Sequence, residues 1–313
     1  MQNLLKKRLK DGKKKFLKFG GKGIMYDLNK FPLGIYEKAL PKNISWRDRL
    51  KYAKELGFDF VEISIDETDE RLARLDWNLE ERKEFINAIL ETGVRVPSMC
   101  FSGHRRFPLG SESSEIRKKS LELMKKAIEL AVDLGIRNIQ MAGYDVYYEV
   151  GNEKTRQLYI DGMRQSLKWA EQANVMLSIE IMDHPFMNSI TKYLEFDQIL
   201  DSPFLTVYPD IGNLTAWGND VRSELLKGKH KISAIHLKDT LAVTENFPGK
   251  FKEVPFGEGC VNFVELFKLL KEINYNGPLL IEMWTEKNED PLKEIEKAKK
   301  WMEDKMSKGG FKC

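Results

Sequence analysis

Short apolar segments alternate with longer amphipathic segments along most of the chain, and this alternation constrains the fold more than any other feature. Several of the short segments are apolar at consecutive positions, which is typical of parallel strands covered on both faces. The predicted strands are residues 33–36, 60–65, 94–101, 138–142, 176–182, 204–208, 232–237 and 278–283. The pattern therefore predicts repeated β-α units around a parallel sheet.

A segment with helical periodicity separates each strand from the next. The predicted helices are residues 45–56, 79–91, 114–134, 153–173, 191–200, 221–226, 263–273 and 291–306. Ser45 is a candidate N-cap, and Gly57, Gly93 and Gly135 are placed to end three of the helices. Eight alternating pairs predict an α/β protein with a (β/α)8 TIM barrel. A doubly wound open sheet is the alternative, but the first strand lacks the glycine-rich phosphate turn expected there.

The composition excludes several classes of protein. Hydrophobic residues make up 42% and charged residues 32% of the 313, which is ordinary globular usage and excludes a largely disordered chain. No apolar run approaches the ~18 residues needed to span a membrane, and no signal peptide is recognised. The three cysteines, Cys100, Cys260 and Cys313, are widely separated, so a reducing cytoplasm is the expected location.

The charge is unevenly distributed along the chain. Residues 1–22 contain nine Lys or Arg and one acid, Asp11, which leaves −5 for the remainder of a chain whose net charge is +3. We expect residues 1–25 to be a basic, disordered N-terminal extension and residues 31–308 to be a single TIM-barrel catalytic domain. A mildly acidic barrel argues against nucleic acid as the main partner, although a basic arm alone could contact an anionic surface.

Ionisable residues mark the ends of the last four predicted strands. In TIM barrels the active site lies where the strands end, at their carboxyl side. Each of these four strands places one hard ligand within or near an apolar run, and the four ligands are Glu180, Asp210, His236 and Glu282. Buried carboxylates need partners, and one divalent cation would satisfy three carboxylates and an imidazole together. Mn²⁺, Zn²⁺ and Mg²⁺ all suit such a set, while four separate structural ion pairs are the alternative.

The loop after the third strand, residues 102–106, is a candidate anion site. It combines a serine and a glycine with His104, Arg105 and Arg106, which suits a phosphate group. A solvated charged loop is the alternative reading of the same residues.

Other polar residues follow the fifth and seventh strands. His184 and Asn188 could hydrogen-bond a polyol, although His184 could equally be a surface histidine. Lys238 could face the site or simply pair with Asp239.

Eight motifs along the chain are PLGIYEKALP (32–41), DETDERL (66–72), GHRRFPLG (103–110), AGYDVYY (142–148), EIMD (180–183), YPDIGN (208–213), VPFGEG (254–259) and LIEMW (280–284). They resemble the motifs of the L-ribulose-5-phosphate (L-xylulose-5-phosphate) 3-epimerases of bacterial pentulose and ascorbate catabolism. The resemblance covers residues 31–308 and implies a TIM barrel with a Glu, Asp, His, Glu metal site, which falls on the four ligands above. In ketose 3-epimerases that act on free sugars, a histidine follows the metal-binding aspartate by three residues, and here that position is Asn213.

The resemblance implies an isomerase that interconverts L-xylulose 5-phosphate and L-ribulose 5-phosphate at C3, with one divalent metal ion stabilising an ene-diolate. Glu180 and Glu282 are the expected catalytic pair, and His104, Arg105, His184, Asn188, Asn213 and Lys238 are the expected substrate ligands. Three alternatives remain open: an aldose-ketose isomerase of a hexulose 6-phosphate, a non-catalytic sugar-binding protein, and, more remotely, a metal-dependent abasic-site endonuclease. We expect a small-molecule sugar phosphate as the partner, without membrane or nucleic acid, and leave a homodimer open.

Overall fold

The computed structural model describes residues 31–311, in which eight parallel strands form a barrel. The strand order is β6-β5-β4-β3-β2-β1-β8-β7, and each neighbouring pair in this order is parallel. The strands are β1 (Leu33–Tyr36), β2 (Phe60–Ile65), β3 (Arg95–Phe101), β4 (Asn138–Met141), β5 (Met176–Glu180), β6 (Leu205–Tyr208), β7 (Ile235–Leu237) and β8 (Leu279–Ile281). The prediction of a TIM barrel is confirmed.

The barrel closes between β6 and β7 through isolated bridges rather than a continuous ladder. Val207 bridges to Ile232, and Asp210 bridges to His236, both in parallel register. The amide of His236 donates to the carbonyl of Pro209 at 2.9 Å. Two of the predicted metal ligands therefore face each other across this junction.

Helices cover the outside of the barrel. Several begin at a side-chain N-cap: Ser45 accepts from the amide of Asp48, and Asn78 forms a capping box with Glu81. Gly93 and Gly135 end two helices in the left-handed conformation, as the sequence predicts. The helices are α1 (Trp46–Glu55), α2 (Asp69–Leu72), α3 (Leu79–Thr92), α4 (Ser114–Leu134), α5 (Glu153–Ala173), α6 (Ile190–Leu200), α7 (Ile211–Ala216), α8 (Val221–Gly228), α9 (Phe263–Glu272) and α10 (Pro291–Lys308).

The short helices α2 and α7 are absent from the sequence-based prediction. Each covers at most six residues, so neither shows a full helical period of apolar positions. Helix α7 begins directly after β6, and the side chain of Asp210 caps it by accepting from the amide of Asn213 at 2.9 Å. This turn holds the Asp210 carboxylate at the end of its strand.

A buried ion cluster lies beside the carboxyl end of β1. Glu37 is fully buried and accepts from Arg49 at 2.8 Å and from Arg74 at 2.7 and 2.9 Å. Arg71 lies 2.9 Å away, and the amide of Ser64 donates to the same carboxylate at 2.7 Å. Burial alone would raise the pKa of Glu37, but the three guanidinium groups outweigh it and lower the pKa to about 2. The cluster fixes the turn after β1 to β2 and α1.

Within the part of the chain that the structure describes, no helix is both long and apolar enough to cross a membrane. The predicted extension at residues 1–25 lies outside the described residues and stays a prediction. The cytoplasmic location and the homodimer also stay predictions.

Candidate metal centre

The four predicted ligands meet at the carboxyl end of the barrel. One ligand atom each from Glu180, Asp210, His236 and Glu282 lies within 4.8 Å of the others, and all four residues are buried. Glu180 ends β5 and His236 lies within β7, while Asp210 and Glu282 follow β6 and β8 closely. The barrel therefore brings together side chains that are far apart in sequence.

Two basic side chains, His236 and Lys238, lie close to the carboxylates of the cluster. His236 Nδ1 lies 3.2 Å from Glu180 Oε1 and 3.6 Å from Glu282 Oε2. Lys238 Nζ lies 2.5 Å from Asp210 Oδ2 and 3.0 Å from Glu282 Oε2. Lys238 thus pairs with two of the predicted ligands and not with Asp239, the alternative partner considered from the sequence.

Burial and the neighbouring charges shift the pKa values of the cluster residues. Burial raises the pKa of Glu180. Burial also raises the pKa of Asp210, to about 8, because the neighbouring carboxylates Glu282 and Glu180 add to it and outweigh the opposing charge of Lys238. For Glu282, Lys238 and His236 outweigh burial and lower the pKa to about 2. Although burial lowers the pKa of His236, the surrounding carboxylates raise it well above its usual range. The cluster therefore favours positive charge at its centre.

The donor set fits a divalent cation. Asp210 Oδ2 and Glu282 Oε2 are buried. Lys238 lies near both oxygens, but neither oxygen accepts a well-directed hydrogen bond. The contacts with the Lys238 ammonium show that these carboxylates stabilise a cation. Three carboxylates and one imidazole are ligands that Mn²⁺, Zn²⁺ and Mg²⁺ accept.

Two interior residues that the sequence analysis missed hold the ligands in place. Glu62, within β2, lies 3.0 Å from His236 Nε2 and accepts from Ser98 at 2.6 Å and from Tyr208 at 3.1 Å. Gln140, within β4, donates to Glu180 Oε2. Glu62 has a sequence signal like that of Glu180, since each is a carboxylate in a buried and mostly apolar strand.

A cavity opens above the cluster. Of the predicted substrate ligands, Arg105, Asn213 and Lys238 line it. The side chain of Asn213 donates to the carbonyl of Ile181 at 2.9 Å, and its Oδ1 is buried without a hydrogen-bond partner. The sequence analysis missed several other lining residues, among them Tyr36, Lys38, Cys100, Asp183, Lys252 and Trp284.

The three other predicted substrate ligands do not line this cavity. His104 is buried, with Nε2 3.3 Å from the carbonyl of Ser120 and its ring edge-on to Phe101, and burial lowers its pKa to about 4. His184 Nδ1 accepts from the amide of Phe186 at 3.3 Å.

Asn188, the third of them, ends the turn after β5, and its backbone carbonyl accepts from Asn219. The contacts of these residues give no support to a role in binding substrate.

Relatives of known sequence and structure agree with this architecture. The barrel of eight parallel strands places the chain in a class, the xylose isomerase-like TIM barrels, whose family model matches residues 50–305. L-ribulose-5-phosphate 3-epimerase UlaE of Escherichia coli O157:H7 (strain EC4115 / EHEC) is 56% identical over 280 residues, covering 90% of this chain and 96% of that protein. The chain belongs to the family of L-ribulose-5-phosphate 3-epimerases, as the sequence motifs predict.

Solved structures support the fold at much lower sequence identity. An L-ribulose 3-epimerase superposes with a TM-score of 0.71 at 17% identity, covering 89% of this chain and 95% of that chain. The apo form of 3-keto-D-glucoside 4-epimerase YcjR from E. coli gives a TM-score of 0.70 at 18% identity, covering 88% of this chain and 100% of that chain. At these identities the likeness shows the barrel fold alone.

Proposed function

We propose that this protein interconverts L-ribulose 5-phosphate and L-xylulose 5-phosphate by epimerisation at C3. The observation that carries the proposal is the 56% identity to an L-ribulose-5-phosphate 3-epimerase over nearly the whole of both chains. The four-ligand cluster at the carboxyl end of the barrel supplies the chemistry such a reaction needs. The relatives favour this function over the isomerase and endonuclease alternatives.

Glu180, Asp210, His236 and Glu282 would hold one divalent cation, Mn²⁺, Zn²⁺ or Mg²⁺. When bound, the cation supplies Lewis acidity that stabilises negative charge on the oxygens at C2 and C3 of the sugar. Lys238 contacts two of these carboxylates and limits the net negative charge of the floor of the cavity.

Glu180 and Glu282 are the catalytic acid and base in this proposal. Glu180 ends β5 and Glu282 follows β8, two strands that are not neighbours in the barrel, and both residues line the cavity. One carboxylate removes the proton from C3 on one face of the sugar, and the other returns a proton from the opposite face. Assistance of this kind accelerates proton transfer by ~10²–10⁴-fold. Gln140 orients Glu180 by donating to the carboxylate oxygen that does not contact His236.

The position of solvent deuterium in the product tests this function. In D₂O, turnover of L-xylulose 5-phosphate should give L-ribulose 5-phosphate with deuterium at C3, which nuclear magnetic resonance of the product detects directly. Deuterium at C2 of an aldose product, or at C1 of the recovered L-xylulose 5-phosphate, would instead identify an aldose-ketose isomerase. Glu180→Gln and Glu282→Gln should each abolish exchange at C3, and the exposed Glu265→Gln is a matched control that should retain it.

A further inference from the structure

A second pocket lies beside the cavity above the metal cluster. It occupies about 350 Å³ between the β7–α9 loop, the β8–α10 loop and helix α10, and this volume is large enough for a small organic ligand. It shares Lys238, Glu282 and Trp284 with the cavity above the cluster, and the rest of it takes no part in the proposed reaction. We call it the aromatic pocket, because Phe256, Trp284 and Trp301 line it.

Aromatic rings form one wall of the aromatic pocket. Phe256 and Trp301 stack with their ring centres 5.8 Å apart and 25° between their planes, and Phe263 packs edge-on against both. Gly257 has a φ of +92°, and a Cβ at this position would lie only 3.0 Å from the Trp301 indole. The backbone therefore packs closely against Trp301, which keeps the indole in one place.

The two loops that border the pocket are anchored to the barrel and to each other. Asp239 accepts from three backbone amides of the β7–α9 loop at 2.8 to 3.2 Å. Thr285 Oγ1 donates to the carbonyl of Ala39 at 2.7 Å, which fixes the β8–α10 loop. Lys287 Nζ donates to both oxygens of Glu253 at 2.7 and 2.8 Å and joins the two loops. The pocket is therefore formed by the protein alone, without a ligand to order it.

Charged groups of both signs surround the aromatic wall. Five carboxylates and three lysines line the pocket, so a ligand with a net charge of either sign would meet like charges there. Two of the carboxylates, Glu253 and Glu286, are paired with lysines at 2.7 and 2.8 Å. Glu258, Glu294 and Lys297 make no ion pair with any other residue between 31 and 311, so their polar atoms are available to hydrogen-bond a ligand.

We propose that the aromatic pocket binds an uncharged pyranose sugar, with the apolar face of the sugar ring on Trp301. One face of a pyranose exposes mainly C–H groups, which pack on an aromatic ring, while the hydroxyl groups around its edge both donate and accept hydrogen bonds. The hydroxyls donate to Glu258 and Glu294 and accept from Lys297. This site lies outside the four-ligand cluster, and sugar binding there does not depend on the proposed epimerisation.

Binding of methyl β-D-glucopyranoside, measured by ligand-detected nuclear magnetic resonance titration, tests this site. The glycoside is uncharged and its ring is locked, so it offers no free carbonyl to the metal cluster. We expect saturable binding to the full-length protein, with the same affinity before and after the metal is removed by chelation. Absence of saturable binding, or an affinity that falls on chelation because the sugar occupies the cluster, would overturn the proposal.

Two variants and two matched controls assign the binding to the aromatic pocket. Glu294→Ala removes a hydroxyl acceptor and Trp301→Leu removes the stacking surface, and each should weaken binding by about 2–12-fold. Glu296→Ala is the control for the carboxylate, because Glu296 lies on the same helix but pairs with Lys300 outside the pocket. Trp77→Leu is the control for the indole, since Trp77 packs elsewhere on the barrel. Both controls should bind the glycoside as the wild type does.

The remaining outcomes each decide the question. Unchanged affinity in Glu294→Ala, or an equal loss in Glu296→Ala, would show that the sugar binds elsewhere. Inorganic phosphate and tetramethylammonium serve as charged probes, and displacement of the glycoside by either at a lower concentration would show that the pocket selects a charged ligand. The thermal melting temperature reports the folding of each variant. If Trp301→Leu does not fold, Glu258→Ala takes its place, because that carboxylate is exposed and its loss should weaken binding to a similar extent.

Discussion

The imidazole of His236 is held between two carboxylates, with Nε2 3.0 Å from Glu62 Oε1 and Nδ1 3.2 Å from Glu180 Oε1. Nε2–H donates to Glu62, so a cation bound at the centre of the cluster would take the place of the proton on Nδ1. A carboxylate in this position fixes the tautomer and the ring orientation of a metal-binding histidine. Glu62 is itself fixed because Ser98 and Tyr208 donate to its other oxygen.

Replacing Glu62 should weaken metal binding even though its carboxylate lies outside the four-ligand cluster. We expect Glu62→Ala to reduce the affinity for Zn²⁺ or Mn²⁺ by about 10–100-fold, because the imidazole loses its orienting partner. Glu62→Gln should retain more of the affinity, since its amide oxygen can still accept from Nε2–H. Competitive titration with a metal-sensitive dye measures both values. Equal affinities of Glu62→Ala and the wild type would contradict the positioning role.

Loss of a cluster ligand should remove the metal and the activity together. Chelation should abolish turnover, and adding Mn²⁺, Zn²⁺ or Mg²⁺ should restore it. Asp210→Asn and His236→Asn should each lower the metal content of the purified protein, measured by atomic emission, and reduce kcat. Full activity of thoroughly metal-free protein would show that the cluster works without a cation.

The buried carboxylate of Glu37 should contribute strongly to stability. Glu37→Gln removes the charged carboxylate that three buried guanidinium groups share, so we expect the free energy of unfolding to fall by about 3–5 kcal/mol. Glu91→Gln is the matched control, because Glu91 pairs with Arg47 at 2.7 Å on the exposed surface and should contribute less than about 1 kcal/mol. Urea denaturation measures both. Similar losses of free energy of unfolding in the two variants would mean that the buried Glu37 pairs stabilise the fold no more than the exposed Glu91 pair does.

Protonation of His104 should destabilise the protein in mild acid. Its folded pKa of about 4 lies below the unfolded value of about 6.5, so the unfolded state binds the proton first as the pH falls. The stability that this histidine contributes is therefore present above pH 6.5 and is lost between about pH 6.5 and 4.

The pH dependence of a single variant isolates this effect. Between pH 8 and pH 5 the free energy of unfolding of the wild type should fall by about 2 kcal/mol more than that of His104→Gln, whose side chain cannot be protonated. The exposed His230→Gln provides the comparison and should follow the wild type. An equal fall in the free energy of unfolding of the wild type and His104→Gln would show that the folded protein tolerates the protonated His104 imidazole.

The sequence predicted the barrel and the metal cluster because both depend on local patterns. Short segments rich in apolar residues give the strands, as at 60–65 and 33–36, which match the structure at both ends. Parallel strands all end on one side of a barrel, so a carboxylate after one strand and a histidine within another can be placed together without knowing their distance. Asp210 and His236 meet for this reason.

The parts that escaped prediction depend on contacts between distant segments. His104 lies in a polar motif that suits an anion, but its ring packs on Phe101 and reaches the carbonyl of Ser120, which no local pattern shows. Lys252 belongs to a long loop whose path depends on four amides that donate to Asp239, three of them from residues near its far end. Glu62 had a readable signal, but its importance lies in its contact with a histidine 174 residues away.

The junction between β6 and β7 links metal binding to the opening of the barrel. It is the junction closed by isolated bridges, and one of them joins Asp210 to His236. A local opening there would separate two of the four proposed ligands, so a cation held by all four would bind the closed form. Amide hydrogen exchange at Val207 and His236 should then slow in proportion to metal concentration above the dissociation constant, while exchange in the β2–β3 ladder stays unchanged.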